Sequence, residues 1–148
     1  MQLSLPFATT RNLPATKTFL EEFAPTVLNT ECFNELNLPF DQEVSNTEIG
    51  HLFEHILIDE FCLSQIRGGE KSSVVNGRTF WNWQENPFGT FEIWIDIGKD
   101  KFNTFLEALR KTIQLIENLI QTSFTISRLA LNHTSAGNQP NLAIARSN

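Results

Sequence analysis

An α+β fold, a single domain in which helices pack on a small, mainly antiparallel sheet, is predicted by three features of the sequence. Apolar residues recur at helical spacing in two long stretches, and strict apolar/polar alternation occupies a stretch between them. Turn-forming Asn76-Gly77 and Pro87-Phe88-Gly89 separate the pieces. With 148 residues, 41% of them apolar, the chain supports one core of ordinary domain size.

Residues 2–8 alternate weakly and read as an edge strand, where Pro6 is tolerated. Residues 15–29 read as a helix opened by Ala15 or Thr16, with Phe19, Leu20, Phe23 and Leu28 on one stripe and Pro25 bending or ending it. Residues 30–45 are mixed, with a short strand expected before Pro39. A clearer helix follows: Ser45 and Glu48 form a capping box, Ile49, Leu52, Phe53, Ile56 and Leu57 recur to about Ile66, and Gly68-Gly69 terminates it. Residues 72–83 read as a strand around the Asn76-Gly77 turn. Residues 90–98 read as a strand with Phe91, Ile93, Ile95 and Ile97 on one face and Glu92, Trp94 and Asp96 on the other. Residues 100–121 form the longest expected helix, striped by Phe102, Phe105, Leu106, Leu109, Ile113, Ile116 and Ile120. Phe124, Ile126 and Leu129 suggest a last strand, and the polar stretch after about residue 134 a loose tail.

Composition narrows the function. A net charge of −6 with scattered Lys and Arg argues against a nucleic-acid surface, whose affinity comes from phosphate neutralisation. No apolar stretch approaches the length of a membrane span, and the first residues carry no secretory pattern, so a cytoplasmic protein is expected. Thirteen Phe and three Trp read first as core filling. Cys32 and Cys62 stand thirty residues apart without a CxxC pair, and read as buried thiols.

The chemistry-bearing segment is His51-Leu52-Phe53-Glu54-His55. On a helix, positions i, i+3 and i+4 share one face, so both histidines can bind one metal ion with Glu54 beside them. This is the inverted zinc-hydrolase pattern, in which imidazoles hold Zn and the glutamate takes a proton from water the metal has acidified. A solvated helix face is the plain alternative. A catalytic zinc needs a third protein ligand. His133 sits near the polar tail and is the poorer source; the acidic face of the 90–98 strand, Glu92 and Asp96, is the better one. Asp59, one turn beyond His55, reads as an acceptor that orients a histidine N–H.

The segment from Gly50 to about Gly98 resembles the N-terminal domain of cyanophycin synthetase. The resemblance rests on GHLFEHILIDE at 50–60, on Gly77-Arg78-Thr79, and on Gly89-Thr90-Phe91-Glu92-Ile93-Trp94-Ile95-Asp96. It covers about a third of the chain. Asp96 falls where that family's strand carries a Glu, which makes it the implied third ligand, with Glu92 the alternative. The resemblance also raises Arg78 to a contact for a substrate carboxylate, which Arg binds bidentately. What it implies is a zinc metallopeptidase acting on cyanophycin or a related Asp/Arg-rich peptide. The rival expectations are a catalytically inactive metal-binding or peptide-binding module using Trp81, Trp83 and Trp94, and a metal-stabilised structural domain.

Overall fold

The computed structural model describes residues 1, 8–32 and 38–135, with 130–135 described by backbone alone. Four helices pack against a two-stranded antiparallel sheet. The strands expected at 2–8 and before Pro39 fall almost wholly outside the described residues, as does the tail beyond Ser135.

Helix α1 spans Thr16–Phe23 and is followed by a 3-10 turn at Pro25–Asn29. The break is local: the residue before a proline is pushed out of the helical region, and Ala24 sits at φ −150°, ψ 56°. Helix α2 is one short turn, Phe40–Glu43.

Helix α3, Ile49–Arg67, is the centre of the molecule. It is buried on most of its sides, polar Glu54, His55, Asp59 and Gln65 included, as a central rather than a surface helix is. Helix α4, the strand hairpin and the Pro25–Asn29 turn each pack on it. Its start differs from the expected capping box. Glu48, not Ser45, is the N-cap; it is extended (φ −69°, ψ 142°) and makes no side-chain cap. Glu48 is instead held in an antiparallel bridge with Thr9, and the Ile49 N–H donates to the Ala8 carbonyl at 2.8 Å. A long-range backbone contact thus does for the first helical donor what a side-chain cap usually does. The C-terminus ends as expected on Gly68-Gly69. Gly69 takes φ 101°, and the Gly69 and Glu70 N–H groups return to the Ile66 and Gln65 carbonyls at 3.0 and 3.1 Å.

Strands β1, Gly77–Phe80, and β2, Glu92–Ile95, pair antiparallel with Arg78 opposite Trp94 and Thr79 opposite Ile93. A two-stranded ribbon is marginal alone; here its apolar face lies on α3. Phe91 is buried against Gly50, where an added Cβ would stand 2.3 Å from the Phe91 ring. Gly50→Ala should therefore displace Phe91 and lower stability by about 1–3 kcal/mol, the usual cost of overpacking. The midpoint of urea unfolding checks this; an unchanged midpoint would mean that Phe91 does not seat against the helix.

Helix α4 runs Phe102–Ser135, about 51 Å at the usual rise, and absorbs the last strand expected around Phe124 and Ile126. No Gly or Pro interrupts it. Its buried stripe is Ala108, Thr112, Ile116, Leu119 and Ser123, a helical period carried on by small hydroxyl residues. The Thr112 hydroxyl is satisfied by the Ala108 carbonyl at 2.9 Å. Phe102, Ile113, Phe124, Ile126 and Leu129 lie on the exposed side, so the buried stripe is rotated from the expected one. The tryptophans differ too: Trp81 and Trp94 are exposed, Trp83 packs against Phe88 and Phe91, and Trp81 meets the Phe91 ring edge-on. No described helix is long and apolar enough to cross a membrane.

Candidate metal centre

The helical spacing of His51 and His55 brings their rings together, with Nε2 atoms 3.1 Å apart. The third member is Cys32, whose Sγ lies 3.4 Å from His51 Nε2. Among the described residues these three form the group able to hold a metal ion, their ligand atoms all within 4.8 Å of one another. Metal–nitrogen and metal–sulfur bonds of about 2.05 and 2.3 Å give tetrahedral edges of about 3.3 Å (N···N) and 3.6 Å (N···S). The observed 3.1 and 3.4 Å lie close to those edges.

Hydrogen bonds fix which ring nitrogens point inward. The Thr30 hydroxyl has one hydrogen and donates it to the Val27 carbonyl at 2.7 Å. Its oxygen therefore accepts from His55 Nδ1–H, also at 2.7 Å, which leaves the lone pair on Nε2. His51 Nδ1 faces the Thr47 hydroxyl at 2.9 Å and Glu43 Oε1 at 3.3 Å. A carboxylate accepts, so this arrangement is satisfied when Nδ1 carries the hydrogen and Nε2 is again the open donor atom. Two lone pairs facing each other at 3.1 Å are accommodated by a shared cation. The donor set could thus hold a metal ion.

The surroundings favour neutral imidazole, the form that binds metal. His55 lies flat on the fully buried Phe40 ring, with centroids 3.8 Å apart and planes 9° from parallel. Burial first, and the neighbouring His51 second, push its pKa down to about 3. The Cys32 thiol donates to Glu43 Oε2 at 3.2 Å, so Glu43 touches both Cys32 and His51.

Glu54 leaves the same helix beside the histidines and is buried under β1. The Thr79 hydroxyl donates to its Oε2 at 2.5 Å. Burial raises its pKa above the usual carboxylate range, against the opposing effects of the Thr79 hydrogen bond and of His51. At Gly77 a Cβ would stand 2.8 Å from Glu54 Oε1, so a glycine is what lets the strand pass this close to the carboxylate.

The other expected site residues lie elsewhere. Glu92 on β2 and Asp96 just after it are exposed on the same side, where Asp96 Oδ1 accepts from Gly98 N–H and Glu92 Oε1 from Trp94 Nε1. Neither joins the metal-ligand group, because the apolar face of the strand is the one turned to α3. Asp59 accepts from Thr26 Oγ1 at 2.7 Å and does not orient a histidine; Thr30 and Thr47 do. Arg78 is exposed on the face of β1 opposite Thr79, beside a cavity of about 300 Å³ that Trp94 and Asp96 also line. The side chain of His133 is outside the described residues. Sequence reasoning missed Cys32, Glu43, Thr30, Thr47 and Thr79. Of these only Thr79 had a signal, as part of Gly77-Arg78-Thr79.

No family model matches the chain, and no curated protein or solved structure matches it.

Thr30 carries a testable consequence. Thr30→Val keeps the shape but removes the acceptor for His55 Nδ1–H, and metal affinity should fall about 10–100-fold. Competition with a chromophoric zinc chelator measures it; equal affinity would separate Thr30 from the site.

Proposed function

We propose that this chain is a zinc-dependent hydrolase that cleaves an amide bond in a peptide or peptide-like polymer. The observation that carries the reading is one group of ligand atoms, two imidazoles and a thiol all within 4.8 Å of one another, with Glu54 buried on the same helix. Cys32, His51 and His55 would hold the ion. Three protein ligands among the described residues is the number that leaves a place for water or substrate in a catalytic site. When bound, zinc supplies Lewis-acid polarisation of a carbonyl and lowers the pKa of water.

The chain's own residues supply the rest. Thr30, and Thr47 with Glu43, hold the two rings in the ligating tautomer. Phe40 covers His55 and keeps water from that side. Glu54, held by Thr79, takes the proton from the attacking water and returns it to the leaving amine. Burial raises the Glu54 pKa above its ordinary value, which makes the carboxylate a better proton acceptor. The substrate class follows the resemblance to the cyanophycin synthetase N-terminal domain: cyanophycin or another Asp/Arg-rich peptide, which a domain of net charge −6 attracts through its basic groups. A thiolate ligand suits a reducing compartment, hence the cytoplasm.

A second reading, a metal-holding module that binds a peptide without cutting it, is favoured by the exposure of Trp81 and Trp94 on the hairpin. One experiment separates the two. Zinc-loaded protein is incubated with cyanophycin and with arginine-rich peptides, and new amino termini are counted. Turnover that a chelator abolishes and zinc restores supports the hydrolase. Binding without new termini supports the module.

A further inference from the structure

We propose that the open edge of β1 is the substrate cradle of this site, to which an extended peptide adds as a further strand, bonding the backbone of Gly77 and Thr79. The inference rests on the peptide-hydrolase reading and specifies how the substrate is held.

Backbone N–H and C=O groups of successive residues in a strand point to alternate edges. Asp96 N–H donates to the Asn76 carbonyl at 2.9 Å across the hairpin, so the Arg78–Trp94 and Phe80–Glu92 pairs also point inward to each other. Gly77 and Thr79 therefore turn their backbone groups away from β2. The same parity sends the Phe91 backbone to the far edge of β2, where it exchanges two 2.7 Å bonds with Met1. Among the described residues nothing pairs with the backbone of Gly77 or Thr79.

The faces of α3 fix where that edge lies. Residues advance about 100° each around a helix. On α3, Phe53 and Leu57 share an apolar cavity with Ile93, Ile95 and Ile97 of the β2 segment. Next around the helix come Gly50, Glu54 and Ile58, which contact Thr79 and Gly77 of β1. His51 and His55 follow on the same sense of rotation. Strand β1 thus lies between β2 and the histidine pair, and its unpaired edge is the one nearest the metal centre. Glu54 Oε1 would touch a Cβ at Gly77 and Oε2 bonds Thr79, so a peptide on this edge runs past the carboxylate. Main-chain bonds to a sheet edge recognise an extended peptide whatever its side chains.

The test uses zinc-loaded full-length Glu54→Gln protein and an unstructured arginine-rich peptide, read by backbone amide hydrogen exchange. The peptide should slow exchange of the Gly77 and Thr79 amides at least about tenfold and leave Arg78 and Phe80, already paired to β2, unchanged. No added protection at Gly77 and Thr79 with the peptide in millimolar excess, or protection at Ile93 and Ile95 instead, overturns the proposal. Wild-type protein and the same peptide in parallel report new amino termini. Protection without cleavage would remove the hydrolase and keep the edge; cleavage without protection would remove the edge and keep the hydrolase.

Discussion

Glu54→Gln is expected to lower amide hydrolysis by about 10²–10⁴-fold while leaving zinc content unchanged. Glu54 stands beside, not among, the metal-ligand group, so the amide does not subtract a ligand. The side-chain carbonyl oxygen of the amide can still accept from Thr79, which now bonds Glu54 Oε2. Stability should move the other way. Burial holds the Glu54 pKa above its ordinary 4.5, so the folded state keeps a proton that the unfolded chain releases first. As pH rises from about 4.5 through the raised value, the metal-free wild type loses stability. The neutral amide does not, so the variant should be the more stable at neutral pH, with the gap closing toward pH 4. Urea unfolding of both metal-free proteins across that range checks the sign. A wild type that gains on the variant as pH rises would mean that the carboxylate is stabilised, not penalised, by its site.

Cys32→Ser is the second large effect. The thiol is the one sulfur donor in the group. A serine hydroxyl is a poor ligand for zinc at neutral pH, and only His51 and His55 would remain. Zinc affinity should fall by more than the about 10–100-fold typical of losing a supporting hydrogen bond. Asp96→Ala and Glu92→Ala, on the exposed side of β2 and just after it, should leave it unchanged. Calorimetric zinc titration of the three variants discriminates the two ligand sets. A loss in Asp96→Ala with none in Cys32→Ser would restore the ligand implied by the resemblance.

The contrast between Cys32 and Asp96 indicates what a single sequence carries here. The helix bearing His51, Glu54 and His55 was legible because its apolar period is long and Gly68-Gly69 ends it sharply. The two faces of the 90–98 strand were legible as well, since alternation is a local property. The choice of face was also latent there: Phe91, Ile93, Ile95 and Ile97 must bury, which turns Asp96 outward. Cys32 was not legible. It lies nineteen residues before His51, in a stretch without periodicity, and only the packing of Phe40 and the Pro25–Asn29 turn on α3 brings the two together. The true start of α3 was hidden for the same reason, because the bridge from Thr9 to Glu48 is a tertiary contact that a capping pattern at Ser45 cannot reveal. The final helix was cut short because Phe124 and Ile126 read as strand residues, while the buried period runs through Thr112 and Ser123.

The metal centre itself is tested most directly by cobalt substitution. Co(II) added to the metal-free protein should bind one ion per chain with the visible bands of tetrahedral cobalt and a near-ultraviolet thiolate-to-cobalt band. That near-ultraviolet band should vanish in Cys32→Ser and persist in Asp96→Ala. Failure to retain cobalt, or a spectrum unchanged by Cys32→Ser, would contradict a site built from Cys32, His51 and His55.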